Sequence, residues 1–311
     1  MKPIVTLTLN PSIDGSSEAQ KVRPVHKVRT TNERYDPGGG GINVSRVIQE
    51  LGSPSLALYL AGGATGSVLD NLIEKRGITG HRIAIRDHTR VSHTVFEHST
   101  GLEYRFVPEG PEILRSEWNG CLEVLSELDC DYVVASGSLP RGVPTDFYRQ
   151  VAALAQDKGA KFVLDTSGAA LQETLAGGGV HLAKPSLGEF ERLVGRELKE
   201  ADALEQAAMS FVRNGKVELL AVTMGHEGAL LAKAEGVLRL PALKAEVRSA
   251  VGAGDSFVAG MTWALARGAG PEDAFRWGIA AGTAAVLTPG TELCKREDVE
   301  RLFGEVPPPQ G

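Results

Sequence analysis

Short apolar runs rich in β-branched residues recur at Ile4–Leu9, Leu56–Ala61, Tyr132–Ala135, Lys161–Leu164 and Leu219–Thr223. Little polar alternation interrupts them, so each predicts a strand buried on both faces. Between them the apolar positions change to a helical period. Val44, Val47, Ile48 and Leu51 form one stripe, and Phe147, Val151, Leu154 and Ala155 form another. Strands interleaved with such helices predict an α/β fold in three layers, a mostly parallel central sheet flanked by helices. Ligands of such sheets sit at the carboxyl ends of the strands.

Two stretches break this pattern. Residues 13–36 and 88–108 alternate polar and apolar, as in Thr94-Val-Phe-Glu97 and Tyr104-Arg-Phe-Val107, with no long helical stripe. They predict short antiparallel strands outside the main sheet, gathered into one small β-sheet that acts as a lid. No internal repeat or low-complexity linker divides the chain. Residues 1–306 therefore read as a single domain, and 307–311 as a frayed tail.

Composition narrows the classes. The 311 residues are 42% hydrophobic, enough for a substantial core. A formal net charge of −6 argues against nucleic acid as the main partner, while local basic clusters can still hold anionic metabolites. No apolar run is long enough to span a membrane, and the start of the chain is too short and too β-like for a signal peptide. Cys121, Cys130 and Cys294 are odd in number and lack metal-ligand spacing, so a cytoplasmic protein with buried thiols is expected. The seven histidines are scattered without an H-E-x-x-H, which gives no support to a structural metal or a histidine-based centre.

The segment with most chemistry in it is Ser249-Ala-Val-Gly-Ala-Gly-Asp-Ser-Phe-Val-Ala-Gly260. Apolar residues follow at Phe257, Val258, Met261, Ala264 and Leu265, one face of a helix. The glycine turn thus falls at a helix N-terminus, where amides of Gly252, Ala253 and Gly254 favour an anion. A carboxylate at Asp255 beside an anion site suits a base that takes a proton as a phosphoryl group arrives. An acid that merely caps the helix accounts for the same residues.

Other positions are weaker singly. Pro37-Gly-Gly-Gly-Gly-Ile-Asn43 enters the helix of Val44; it marks close approach to a ligand such as a sugar, or a hinge. It is neither a Walker A loop nor a dinucleotide fingerprint. Asp14 follows the first strand, as a site residue or a turn residue. Arg90 and Arg105 flank the second lid stretch and have the forked donors that suit phosphate. Ser136-Gly-Ser-Leu-Pro140 closes a buried strand and offers hydroxyl and amide donors, or a plain turn. In Lys184-Pro-Ser-Leu-Gly-Glu189, Glu189 serves either a magnesium ion that keeps its waters or a capping box with Ser186. Met224-Gly-His-Glu-Gly228 reads as a tight glycine turn.

Taken in order, these segments resemble the PfkB (ribokinase-like) carbohydrate kinase family over almost the whole chain. Gly38–Asn43 and Val251–Asp255 carry the likeness most specifically. Ala61-Gly-Gly-Ala-Thr-Gly66, Ser136-Gly-Ser-Leu-Pro140 and Gly290-Thr-Glu-Leu-Cys294 are similar to the minor bacterial 6-phosphofructokinase branch. The resemblance implies the three-layer fold and a β lid that pairs between subunits, hence a homodimer. It implies ATP and magnesium (Mg2+) as cofactors and a sugar phosphate as substrate, fructose 6-phosphate first. Tagatose 6-phosphate, fructose 1-phosphate and a non-catalytic sensor on the same fold are the alternatives. By the same resemblance Asp255 is the base and Gly252, Ala253 and Gly254 the anion hole. Asp14, Gly39 and Asn43 meet sugar hydroxyls; Arg90, Arg105, Ser138 and Lys27 hold the sugar's phosphate. Lys184, Ser186, Thr223, Gly225 and Gly228 line the nucleotide site, and Glu189 supports magnesium through water. The chain departs from the family at Ser186, where Asn is usual, and at Ala250, where Thr is common. Gly40 stands where the fructose 1-phosphate and tagatose 6-phosphate kinases commonly carry Lys.

Overall fold

The strands run in chain order β1 (Ile4–Thr8), β2 (Ser12–Ala19), β3 (Thr31–Gly38), β4 (Ser55–Gly62), β5 (Thr79–Ile85), β6 (Arg90–Glu97) and β7 (Leu102–Phe106). They continue as β8 (Tyr132–Ser136), β9 (Lys161–Asp165), β10 (Val180–Ala183), β11 (Val217–Thr223), β12 (Ala229–Lys233) and β13 (Gly236–Leu240). The structure is a computed structural model that describes residues 2–308; of the expected tail, residues 309–311 lie outside the described residues. All five strands expected from the apolar runs are present, each within two residues of its expected bounds.

Nine strands form the main sheet in the order β13-β12-β11-β10-β9-β8-β1-β4-β5. Only β12 runs against its neighbours. Alternate side chains of the parallel strands enter opposite cores. Val133, Phe162 and Leu164 face the helices Arg115–Glu127, Phe147–Asp157, Gly168–Gly177 and Ala201–Arg213. Val134, Val163 and Leu182 face the helices Gly40–Glu50, Ala253–Ala266, Pro271–Val286 and Arg296–Glu305. Burial on both faces is why these strands show so little polar alternation. Among the described residues no helix is long and apolar enough to cross a membrane.

The two irregular stretches do form a separate four-stranded sheet, in the order β3-β2-β6-β7. One expectation needs correction: its central pair, β2 with β6, is parallel, and only the outer pairs are antiparallel. The reason lies in the main sheet. There β1, β4 and β5 are parallel, so the chain leaves β1 and β5 in the same direction at the same edge. The pairing register gives the small sheet two unlike faces. Ser12, Asp14, Arg90, Ser92, Thr94 and Arg105 share one face; Tyr35, Val91, Leu102 and Phe106 share the other and are exposed.

Candidate active site

The helix Ala253–Ala266 begins at Gly252, whose φ of 73° lies in the left-handed region that glycine enters without strain. Its first intrahelical bond runs from Ser256 N to Gly252 O, 2.8 Å. The amides of Ala253, Gly254 and Asp255 have no such partner, and no side chain caps the helix. Two cavities meet at this turn. One of about 180 Å³ is lined by Asp14, Gly39, Asn43, Arg90, Arg105, Gly252 and Asp255, under the polar face of the small sheet. The other, about 640 Å³ and largely apolar, includes Thr223, Gly225, Gly228, Ala250, Ala253 and Gly254. The first cavity presents charged and polar groups and the second a broad apolar wall, with free helix amides between them. That is the layout a transfer of an anionic group between two bound molecules needs.

The glycine run packs the two halves of the first cavity together. A Cβ at Gly38 would overlap the Asp14 carboxylate, and one at Gly40 would overlap Ser136 Oγ and lie 2.9 Å from Gly137 N. The close approach that the four glycines predict is therefore to the protein's own strand ends as well as to the cavity.

The family model for pfkB family carbohydrate kinases matches residues 8–298. The chain belongs to the pfkB family of carbohydrate kinases. It is 43% identical over 302 residues to the ATP-dependent 6-phosphofructokinase isozyme 2 of Mycobacterium tuberculosis, covering 96% of this chain and 88% of that one. It is 32% identical over 306 residues to the 1-phosphofructokinase of Borreliella burgdorferi, covering 97% of each. The crystal structure of the phosphofructokinase-2 from Escherichia coli in complex with fructose-6-phosphate superposes with a TM-score of 0.93 at 36% identity. That match covers 98% of this chain and 99% of the other.

In this pfkB kinase Asp255 is held from two sides. Asn43 Nδ2 donates to its Oδ2 at 2.9 Å, and Ser136 Oγ donates to its Oδ1 at 3.2 Å. Its carboxyl is pushed up to about 6, first by burial and then by the nearby charge of Asp165, against the opposing pull of Asn43, Lys184 and Ser136. A carboxylate with that value is ionised at neutral pH yet keeps a useful affinity for a proton. Burial also raises Asp14, while Ser12 Oγ donates to its Oδ1 at 2.5 Å and Arg90 attracts it.

Arg90 is half committed to the backbone: Nη1 donates to Pro108 O at 2.9 Å and Nη2 to Asn10 O at 2.8 Å. Arg105 is exposed and, among the described residues, makes no ion pair with this chain. Lys184 does not line the large cavity. It is buried behind the turn, Nζ 3.1 Å from Asp165 Oδ1, and a Cβ on Gly254 would lie 3.3 Å from that nitrogen. Ser186 and Glu189 form the capping box that the sequence allows: Ser186 N donates to Glu189 Oε2 at 2.8 Å and Ser186 Oγ at 2.7 Å. Both bonds use Oε2, and neither residue lines the two cavities. The turn at Gly225–Glu227 is a short 3₁₀ segment on the wall of the large cavity.

Two expected residues lie away from the first cavity within this chain. Ser138 is exposed on the turn after β8, and Lys27 is exposed on the loop between β2 and β3. Ser136, two positions earlier, is the serine that reaches Asp255, because it ends the buried strand. Sequence reading also misses Asp165 and Arg46, and it marks Thr291, which lines the first cavity, only as part of the segment Gly290-Thr-Glu-Leu-Cys294 and without a role. Asp165 ends a strand that the apolar run did mark, which was the one available signal.

Proposed function

We propose that this pfkB kinase transfers the γ-phosphoryl group of ATP to the C1 hydroxyl of fructose 6-phosphate, giving fructose 1,6-bisphosphate and ADP. The observation that carries the reading is the meeting of the two cavities at Asp255 and the free amides of Ala253 and Gly254. ATP lies along the apolar wall with its phosphates toward the turn, between Thr223, Gly225 and Gly228 on one side and Gly254 on the other. The sugar lies under the lid, its hydroxyls on Asp14, Asn43 and the glycine loop and its phosphate on Arg90 and Arg105. Asp255 takes the C1 hydroxyl proton, the oxygen attacks the γ-phosphorus in line, and the bond to the β-phosphate oxygen breaks. The amides and the buried Lys184 receive the negative charge that spreads over the group in flight.

Among the described residues no three His, Cys, Asp or Glu side chains converge on one point. That donor set fits magnesium held mainly by phosphates and water, with the free Oε1 of Glu189 at most an outer partner. Magnesium would neutralise phosphate charge. The exposed apolar face of Tyr35, Val91, Leu102 and Phe106 supports a dimer paired through the lids. Light scattering would report about twice the 33.0 kDa chain mass, and a fully active monomer would refute the dimer.

Gly40 favours the 6-phosphate over the 1-phosphate. It carries no charge, and Ser136 leaves no room for a side chain there, so phosphate binding falls to the lid arginines. The likeness to the Borreliella 1-phosphofructokinase supports fructose 1-phosphate as the second reading. ADP release with magnesium, ATP and a panel of sugars tests this. Fructose 6-phosphate should lead, tagatose 6-phosphate follow, and fructose 1-phosphate and unphosphorylated fructose trail well behind. Fructose 1-phosphate as the best substrate would overturn the reading.

A further inference from the structure

Arg46 lies one turn after Asn43 on the helix Gly40–Glu50, on the same face. Its side chain is 9% exposed. Nη1 donates to Asn43 Oδ1 and to Pro37 O, each at 3.2 Å. Nη2 donates to Thr291 O at 3.3 Å and reaches Asp36 Oδ1 at 3.5 Å. Asp36 also accepts from Thr291 Oγ1 at 2.7 Å and from Arg76. At its other end Asn43 donates to Asp255.

A primary amide is almost symmetric in shape, so its partners decide which way round it sits. A guanidinium only donates, and an ionised carboxylate only accepts. Arg46 therefore permits one orientation of Asn43, the one that aims an N–H at Asp255. We propose that Arg46 is a positioning residue: it locks the Asn43 amide toward Asp255 and so holds the base ionised and in place. This rests on the reading of Asp255 as the base. A plain staple between Pro37, Asp36 and Thr291 would use the same bonds, so the test must read the base itself.

The charges around Asp255 are Asp165 and Lys184, at the ends of β9 and β10, Arg46 through Asn43, and Asp14, Arg90 and Arg105 of the small sheet, which line the same small cavity. Those around Arg46 are Asp36 and Asp14 from the lid strands, Arg76 at the end of the helix Gly63–Lys75, and Asp255. Of these only Arg46 touches Asn43 Oδ1. Without it the amide is free to turn, and Asp255 loses both a donated bond and a nearby positive charge. Each loss favours the protonated carboxyl.

The experiment is the pH profile of kcat/KM with ATP and fructose 6-phosphate for wild type, Arg46→Ala, Arg46→Lys and Asp255→Asn, with thermal unfolding of each. The substrate phosphate ionises in the same range, equally for every variant. In Arg46→Ala the acidic limb should move up by about half to one pH unit, and the rate deficit should shrink at alkaline pH. Methylguanidinium should move the limb back. If Arg46→Ala does not fold, Arg46→Lys should show a smaller shift in the same direction. A deficit equal at every pH, with the limb in place, would overturn the proposal and leave Arg46 a staple. Asp255→Asn should make the limb shallower by one ionisation. A limb as steep as in wild type would instead overturn the base assignment.

Discussion

Lys184 and Asp165 form a buried ion pair, Nζ to Oδ1 at 3.1 Å, directly behind the turn that carries Asp255. The pair does two things at once. It satisfies two charges that burial would otherwise penalise, and it places opposing fields on Asp255, Asp165 raising its carboxyl and Lys184 lowering it. Lys184→Met should destabilise the fold by about 3–5 kcal/mol, because Asp165 is left charged and alone. Adding Asp165→Asn should recover most of that loss in urea denaturation while activity stays low. Full additivity of the two losses would show that the pair is not coupled.

The raised Asp255 carboxyl should be visible in stability as well. The folded chain holds this proton more tightly than the unfolded one. Its contribution to stability is therefore full below the unfolded value of 3.8 and is lost as pH rises through about 6. Asp255→Asn, which stays neutral, should be more stable than wild type at pH 7 by on the order of 1–3 kcal/mol, with the difference vanishing near pH 4. A variant less stable at both pH values would contradict the burial of an ionised Asp255.

The two arginines on the polar face of the small sheet should separate. Arg105 makes no ion pair among the described residues, so Arg105→Ala should raise KM for the sugar phosphate with no change in Tm. Arg90→Ala should raise it by roughly ten- to a hundredfold, the loss of a charge-assisted contact of roughly 1.5–3 kcal/mol. It should also lower Tm, since Pro108 O and Asn10 O lose their donor. An ATP KM that rose equally in either variant would move that arginine to the nucleotide side.

Ser186→Asn changes the cap of the helix Leu187–Val194, where Asn caps as well as Ser. Stability should hold, and less magnesium should be needed for half-maximal rate. An unchanged magnesium titration, with Glu189→Gln also silent, would mean that this turn serves only the helix.

Contiguity decided what was legible in the sequence. Gly252 to Asp255 and its apolar stripe lie within one short segment, so the glycine turn, the acid and the helix are read together. The strands buried on both faces were equally plain, as was a small sheet built from two distant stretches. What was hidden depends on strand order and side-chain direction. Asp165 meets Lys184 because β9 and β10 are neighbours, which no local pattern states. Ser136 rather than Ser138 reaches Asp255 because the strand ends one residue before the backbone turns at Gly137. Arg46 is buried because the distant loop of Thr291 covers it, which the helical pattern around Val44 and Val47 does not state. The parallel pairing of β2 with β6 followed from the main sheet and not from the alternation of either strand.

The most direct test of the account is kcat of Asp255→Asn with saturating ATP, magnesium and fructose 6-phosphate. Asn keeps the shape and can accept the bond from Asn43, but it takes no proton. The account predicts a fall in kcat of about 10²–10⁴-fold, with KM for both substrates little changed. A near-normal kcat would contradict it, because the proton of the attacking hydroxyl would then be leaving by another route.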